Sequence, residues 1–397
     1  MQRWEASGMP VYRQGEGAKA RVFAYTDELE AWVQASDGGR PAAPAAARRR
    51  IPWWAAAVLV AVLTAGGWMA WRLRGGEPHS WSFEGDRLLV REEAGRVLWE
   101  QRFAGADFLG PYNRDPVTIA DIDGDGHSEV LVNLLPANVG REGGSLACYE
   151  HGGGLRWQFR YGGIRRFGGR TFEPDYRGRF VRPLRAGGKR YVLTVANHFL
   201  WYPAQVALLD PRTGKAVEEY WHPGSIYHYA LHDTDGDGAD EFVFSAINNP
   251  GQGLGHAAVG VLELPFSRAK RAEADPRFPP PTGGGEAAYV LFPLPDMCRV
   301  EGQLPMVQDL TLDALGRLRV QVPAPEGGGI IYYLDRRLRV LEYRLTDNYA
   351  AVHERLRRGG HLDHALGSEE ERELGKLVEF AAAPDGNSAE VRKLWRF

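Results

Sequence analysis

Hydrophobic and polar positions fall into three regimes along the chain. Residues 51–71 form a 21-residue run without a single charge. A bilayer core about 30 Å thick needs roughly 20 apolar residues at about 1.5 Å rise each, so the run predicts one transmembrane helix. Pro52 suits its first turn, and Trp53, Trp54, Trp68 and Trp71 cluster at its ends, where indoles settle among headgroups. A secretory signal would be shorter and nearer the start, and a buried soluble helix would carry a polar stripe. Beyond it, residues 78–397 read as short β-prone runs broken by turns, among them 87–91, 97–103, 129–133, 191–195, 241–245 and 330–334. Many alternate apolar with polar residues, which predicts half-buried antiparallel strands. A helical period returns only after residue 347. There Val352, Leu356, Leu374, Leu377 and Val378 predict a terminal helical hairpin around His361–Leu–Asp–His364, read as packing because no third metal ligand is evident.

The first regime, residues 1–35, predicts a hairpin and a helix. Runs 8–13 and 21–25 flank the glycine-bearing turn 14–19, and Thr26 can cap a helix that has Asp27 and Glu28 in its first turn. Leu29, Trp32 and Val33 share one face of that helix. Residues 36–50 form an Ala/Pro/Gly/Arg linker. Four arginines, Arg40 and Arg48–Arg50, precede the apolar run against Arg72 and Arg74 after it. The positive-inside rule then places the N-terminus in the cytoplasm and the large C-terminal domain outside, in the arrangement of a bacterial inner-membrane protein with a periplasmic domain. Arg3, Arg13, Lys19 and Arg21 would lie on or beside the hairpin, a layout suited to DNA phosphates.

Composition narrows the exterior domain. A net charge of −3 supplies no global field for nucleic acid, and 49 glycines, 25 prolines, 12 tryptophans and 16 tyrosines suit many short strands. Cys148 and Cys298 are the only cysteines; an oxidising exterior permits a bridge, and their spacing leaves pairing open. The chain also repeats itself. Residues 117–132 match residues 229–244, each a strand, an Asp-x-Asp-Gly-Asp-Gly-x-x-Glu loop and a strand. Residues 181–195 keep the outline without the acids, and residues 308–320 keep Asp309 and Asp313. A unit of this size holds about four strands, the content of one propeller blade.

The two loops carry the clearest chemistry. Asp121, Asp123, Asp125 and Glu129 occupy positions 1, 3, 5 and 9 of one; Asp233, Asp235, Asp237 and Glu241 occupy those of the other. Alternate residues of a tight loop turn oxygens inward, and the backbone carbonyls of His127 and Ala239 at position 7 can add a ligand each. Hard oxygen donors in flexible geometry point to Ca²⁺. Position 12 is Val132 or Phe244 and the flanks are strands, so neither loop is an EF-hand. The crowd of His198, His222, His228 and His232 reads as structural. No nucleophile elbow, zinc-protease helix motif or phosphate loop is present, so the expectation is a protein that is not an enzyme.

Two resemblances extend this reading. Gln2–Arg–Trp–Glu5, Gly8–Met–Pro–Val–Tyr–Arg13 and residues 21–32 resemble the end of an excisionase-like (MerR-like) winged helix-turn-helix domain. The first helix and most of the recognition helix of such a domain would precede Met1. The acidic loop followed by a strand resembles the FG-GAP/VCBS repeat family, which implies a mainly β fold: a β-propeller, here of about four to seven blades, with Ca²⁺ in blade loops. Together they imply a membrane-bound sensor or transcriptional regulator. The alternative is a tethered exterior module that binds carbohydrate or protein above an inert cytoplasmic tail. A quinoprotein-like propeller enzyme, suggested by residues 208–215, lacks a recognisable redox site.

Overall fold

The computed structural model describes residues 8–14, 21–37, 76–103, 115–135, 143–167, 170–199, 203–222, 224–248, 255–266, 286–304 and 306–380. The chain divides into two compact units, Met1–Arg72 and Leu73–Phe397. The expected transmembrane run 51–71, residues 38–50 of the expected linker, and the proposed DNA contacts Arg3 and Lys19 lie outside the described residues, while Ser36 and Asp37 belong to the helix before the linker. Among the described residues no helix is long and apolar enough to cross a membrane.

In the first unit, β1 (Tyr12–Gln14) pairs antiparallel with β2 (Arg21–Phe23), followed by α1 (Thr26–Asp37). The register sets Arg13 opposite Val22 and Gln14 opposite Arg21. Side chains alternate between faces along a strand, so Arg13 and Arg21 share the hairpin but not a face. Tyr12, Phe23 and Tyr25 contact one another at 5.7–5.9 Å between ring centroids, and the Tyr12 hydroxyl donates to Glu28 Oε1 at 3.2 Å.

The second unit is mainly β and propeller-like. Five antiparallel sheets follow one another along the chain, each strand pairing with the next. Sheet I holds β3 (Ser80–Glu84), β4 (Arg87–Arg91) and β5 (Val97–Arg102). Sheet II holds β6 (Val117–Ala120), β7 (Glu129–Leu134), β8 (Ser145–Tyr149) and β9 (Leu155–Arg160). A small hairpin, β10 (Arg165–Phe167) with β11 (Arg170–Phe172), precedes sheet III: β12 (Tyr176–Ala186), β13 (Lys189–His198), β14 (Ala204–Leu209) and β15 (Ala216–His222). Sheet IV holds β16 (Ile226–His232), β17 (Glu241–Asn248), β18 (His256–Leu262) and β19 (Glu286–Leu291). Sheet V holds β20 (Asp309–Leu312), β21 (Leu318–Pro323), β22 (Gly329–Leu334) and β23 (Val340–Leu345). Helix α2 (Asp296–Glu301) precedes sheet V, and α3 (Tyr349–Arg358) and α4 (Ser368–Leu374) follow it. The chain then returns as β24 (Val378–Phe380) to the free edge of β19. Leu377 and Val378 therefore lie past the helices rather than on them.

Among the described residues four apolar cores lie between consecutive sheets, and the inner strands feed two cores at once. Along β7, Val130 and Val132 face sheet I while Leu131 faces sheet III. Along β14, Val206 and Leu208 face sheet IV while Ala207 and Leu209 face sheet II. Along β17, Phe242 and Phe244 face sheet III while Val243 faces sheet V. This differs from the half-buried pattern expected from sequence: β7, β8, β14, β17 and β18 are almost wholly buried. A sheet packed between two others has no wet face, so its strands read as unbroken apolar runs. Alternation survives in β21 of the last sheet, where Leu318, Val320 and Val322 are buried and the residues between them are not.

The four repeated segments all fall at the same place, the turn between the first and second strands of sheets II, III, IV and V. Cys148 and Cys298 are buried and unpaired, in the cores between sheets II and III and between sheets IV and V. Burial pushes both thiols up, Cys298 to about 12.

Phe244 is fully buried and stacks on Phe242 at 5.8 Å. Phe244→Ala should cost about 3–5 kcal/mol of unfolding free energy in denaturant titration, whereas Leu155→Ala, at an exposed site, should stay within about 0.5 kcal/mol.

Candidate metal sites

Each acidic loop bridges the first and second strands of its sheet: 121–128 joins β6 to β7, and 233–240 joins β16 to β17. The loops are closed by their own acids. In the first, Asp121 Oδ1 accepts the Gly124 N–H at 2.5 Å, Asp123 Oδ1 that of Asp125 at 3.2 Å and Asp125 Oδ1 that of His127 at 2.8 Å. In the second, Asp233 Oδ1 accepts from Gly236 at 2.6 Å, Asp235 Oδ1 from Asp237 at 3.0 Å and Asp237 Oδ1 from Ala239 at 2.8 Å. Gly124 and Gly236 both sit at φ +88°, a conformation in which a side chain is strained. These N–H bonds, that of Gly236 first, hold Asp233 below the usual carboxylate range.

The glutamates at position 9 open the inner strands and are buried. Glu129 Oε2 accepts the Ile122 N–H at 3.1 Å; Glu241 Oε2 accepts both the Thr234 N–H at 2.6 Å and its hydroxyl at 2.7 Å. Carboxylate oxygens of Asp121, Asp123 and Glu129 converge within 4.8 Å of one another, as do those of Asp233, Asp235 and Glu241. Asp125 and Asp237 stand outside these two groups. The His127 ring meets Glu77 Oε1 through Nδ1 at 2.6 Å, a bond that raises its pKa, and stacks on His151.

The loops differ in what faces their acids. Arg156 of β9 reaches into the first: its Nη1 donates to Asp123 Oδ2 at 2.9 Å, and its Nη2 lies 3.1 Å from Glu129 Oε1 and 3.9 Å from Asp125 Oδ2. A two-pronged bond to Glu150, at 2.5 and 2.8 Å, holds the guanidinium there. Arg190 adds a bond to the Asp121 carbonyl at 2.8 Å. Burial pushes Glu129 up, against the pull of Ile122 and Arg156. Among the described residues no guanidinium pairs with Asp233, Asp235 or Glu241; Arg336 acts on Asp233 only at longer range. A cation entering the first loop meets a positive charge already in place, whereas the second offers three carboxylates to it.

The histidines near the second loop do not converge. His222 is fully buried, its Nδ1 against Gly224 and its Nε2 against the Tyr289 hydroxyl at 2.9 Å, and His198 Nε2 meets the Glu173 carbonyl at 3.0 Å. A third cluster, His353, His364 and Glu370, is assembled by α3, α4 and the segment between them. It supplies the third ligand that sequence reading did not find around His364. One signal pointed to it: His353 falls on the buried stripe of α3 with Tyr349, Val352 and Leu356.

No protein-family model matches the chain, and no curated protein matches it. Similar solved structures include the Pseudomonas aeruginosa PilY1 C-terminal domain (13% identity, 66% of this chain and 56% of that one, TM-score 0.39). The Dos1 propeller is another (11% identity, 65% and 54%, TM-score 0.34). The chain thus spans little more than half the length of either. Synechocystis apocarotenoid oxygenase is also similar (12% identity, 64% and 68%, TM-score 0.24). Against the expectation that the chain is not an enzyme, an oxygenase stands among the similar structures, which leaves that expectation without support. At such TM-scores the likeness transfers no chemistry.

Burial lowers the His222 pKa to about 4. An unfolded histidine titrates near 6.5, so below that pH the unfolded chain binds a proton that the folded one refuses. The stability it contributes is complete above pH ~6.5 and is lost as pH falls toward 4, by at most about 1.4 kcal/mol per unit. His222→Gln should flatten the pH dependence of unfolding free energy between pH 7 and 5.

Proposed function

We propose that this chain is a single-pass membrane protein whose exterior β-domain, of the FG-GAP/VCBS propeller type, is stabilised by Ca²⁺ and senses a ligand. In this reading residues 51–71 anchor it and the N-terminal hairpin and helix belong to a winged DNA-contacting segment, the layout of a one-component regulator. The observation that carries the calcium part is the second loop, where Asp233, Asp235 and Glu241 bring carboxylate oxygens within 4.8 Å of one another. Asp237 and the Ala239 carbonyl complete an all-oxygen set suited to Ca²⁺. In the first loop the Arg156 guanidinium already supplies one of the two positive charges the ion would bring, so the two loops with one motif are unequal in affinity. The ion's role is to clip a loop between two strands.

Exterior calcium sites bind at about 10⁻⁴–10⁻³ M, so roughly 10 mM Ca²⁺ adds about 1–3 kcal/mol, a rise of a few degrees in Tm. Asp235→Ala should abolish most of that rise and Asp123→Ala little of it. Equal losses in the two variants would refute the unequal-loop reading, and an unchanged response in both would remove calcium from these loops. For the cytoplasmic part, Arg13→Ala with Arg21→Ala should weaken binding of the full chain to duplex DNA and flatten its salt dependence by about 1–2 in log–log slope. A full chain without affinity for duplex DNA at low salt would favour the tethered exterior module.

A further inference from the structure

His353, on α3, is fully buried, and neither of its ring nitrogens makes a hydrogen bond. Such an imidazole calls for a partner. Its Nε2 lies 3.1 Å from Glu370 Oε2 of α4, and His364 Nε2 lies 3.3 Å from the same oxygen. The two rings meet edge to face at 5.2 Å between centroids. A fourth donor stands nearby: Asp296 Oδ2, at the start of α2, is 3.8 Å from His364 Nε2, while Arg299 Nε lies 3.5 Å from the other Asp296 oxygen. The outward nitrogen of His364, Nδ1, is 2.9 Å from Asp363 Oδ1, the carboxylate–imidazole contact that orients a metal-binding ring. Asp296, His364 and Glu370 also line a cavity of about 800 Å³ that His256, Pro293 and Lys376 help enclose.

These separations fit the ligand shell of a metal. Four ligands about 2.0–2.1 Å from a tetrahedral ion stand roughly 3.3 Å apart, the spacing found between Glu370 Oε2 and both Nε2 atoms. Two neutral imidazoles with two carboxylates balance a divalent charge. Nitrogen donors in the set select against Ca²⁺ and toward a first-row divalent ion, of which zinc accepts the tetrahedral His and carboxylate set.

We propose that His353 Nε2, His364 Nε2 and Glu370 bind a zinc-class divalent cation, with Asp296 at the fourth position beside the cavity. The ion ties α2, α3 and α4 together over the core between sheets IV and V, where Tyr349, Val352, Leu356 and Leu374 are buried. This site is independent of the acidic loops: it uses nitrogen ligands and none of their residues.

The test uses the full chain, stripped with chelator and titrated with Co²⁺, whose visible absorption in a tetrahedral site is far stronger than in water. The expected result is about one Co²⁺ per chain, displaced by Zn²⁺ and untouched by millimolar Ca²⁺. His364→Ala and Glu370→Gln, at less buried positions than His353, should each cut affinity by roughly tenfold or more and shift or abolish the band. Asp235→Ala should leave it intact. Absence of the band in the wild-type chain, or an unchanged band in both His364→Ala and Glu370→Gln, would overturn the assignment.

Discussion

The drying of both faces of the inner sheets governs this molecule. Once a sheet lies between two others, successive side chains of an inner strand belong to different cores, and that strand turns no polar row to water. Some of the polar groups that stay inside tie one sheet to the next. Asn197 of sheet III exchanges two bonds with the backbone of Ile226 in sheet IV, at 2.9 and 3.0 Å. The Tyr161 hydroxyl joins Asn133 of sheet II to Thr194 of sheet III, at 3.1 and 3.0 Å. Such bonds set how neighbouring sheets register, because burying either partner alone costs about 1–3 kcal/mol.

The same constraint sends charge to the ends of the strands. Turns between first and second strands are the places where carboxylates can gather at the edge of a dry interior, and Glu129 and Glu241 stand at that boundary. Each clips the second residue of its loop with a buried oxygen. One scaffold then carries two electrostatic solutions: in sheet II a guanidinium held by Glu150 pairs with Asp123 and Glu129, and in sheet IV the acids face no such partner among the described residues. An arginine is always charged and always present, so of the two loops the second leaves its carboxylates open to a cation.

The last sheet is closed differently. Helices α2, α3 and α4 cover the core it shares with sheet IV, and the Tyr332 hydroxyl donates to the Leu374 carbonyl at 2.8 Å. A buried histidine on the inner stripe of α3 is costly in an apolar cover, and its meeting with His364 and Glu370 gives that residue a purpose beyond packing.

Local chemistry was legible in the sequence by itself. The acidic loops, their glycines and the strands around them lie within about a dozen residues, and that short spacing brings together the oxygens at positions 1, 3 and 9, though not those of Asp125 and Asp237 at position 5. The strand-turn-strand repeats, the N-terminal hairpin with its helix, and the helices after residue 347 were legible for the same reason, since each depends on short-range periodicity. What depended on distant residues was decided by the tertiary structure. Double burial of the inner strands follows from stacking, which no alternation within one strand records. Arg156 reaches the Asp123 loop from a strand two further along its sheet, and His353, His364 and Glu370 meet only because α3 and α4 fold over one core. Side-chain identity travels with the chain, but the charge and the ligands that a residue faces are set by elements far from it in sequence.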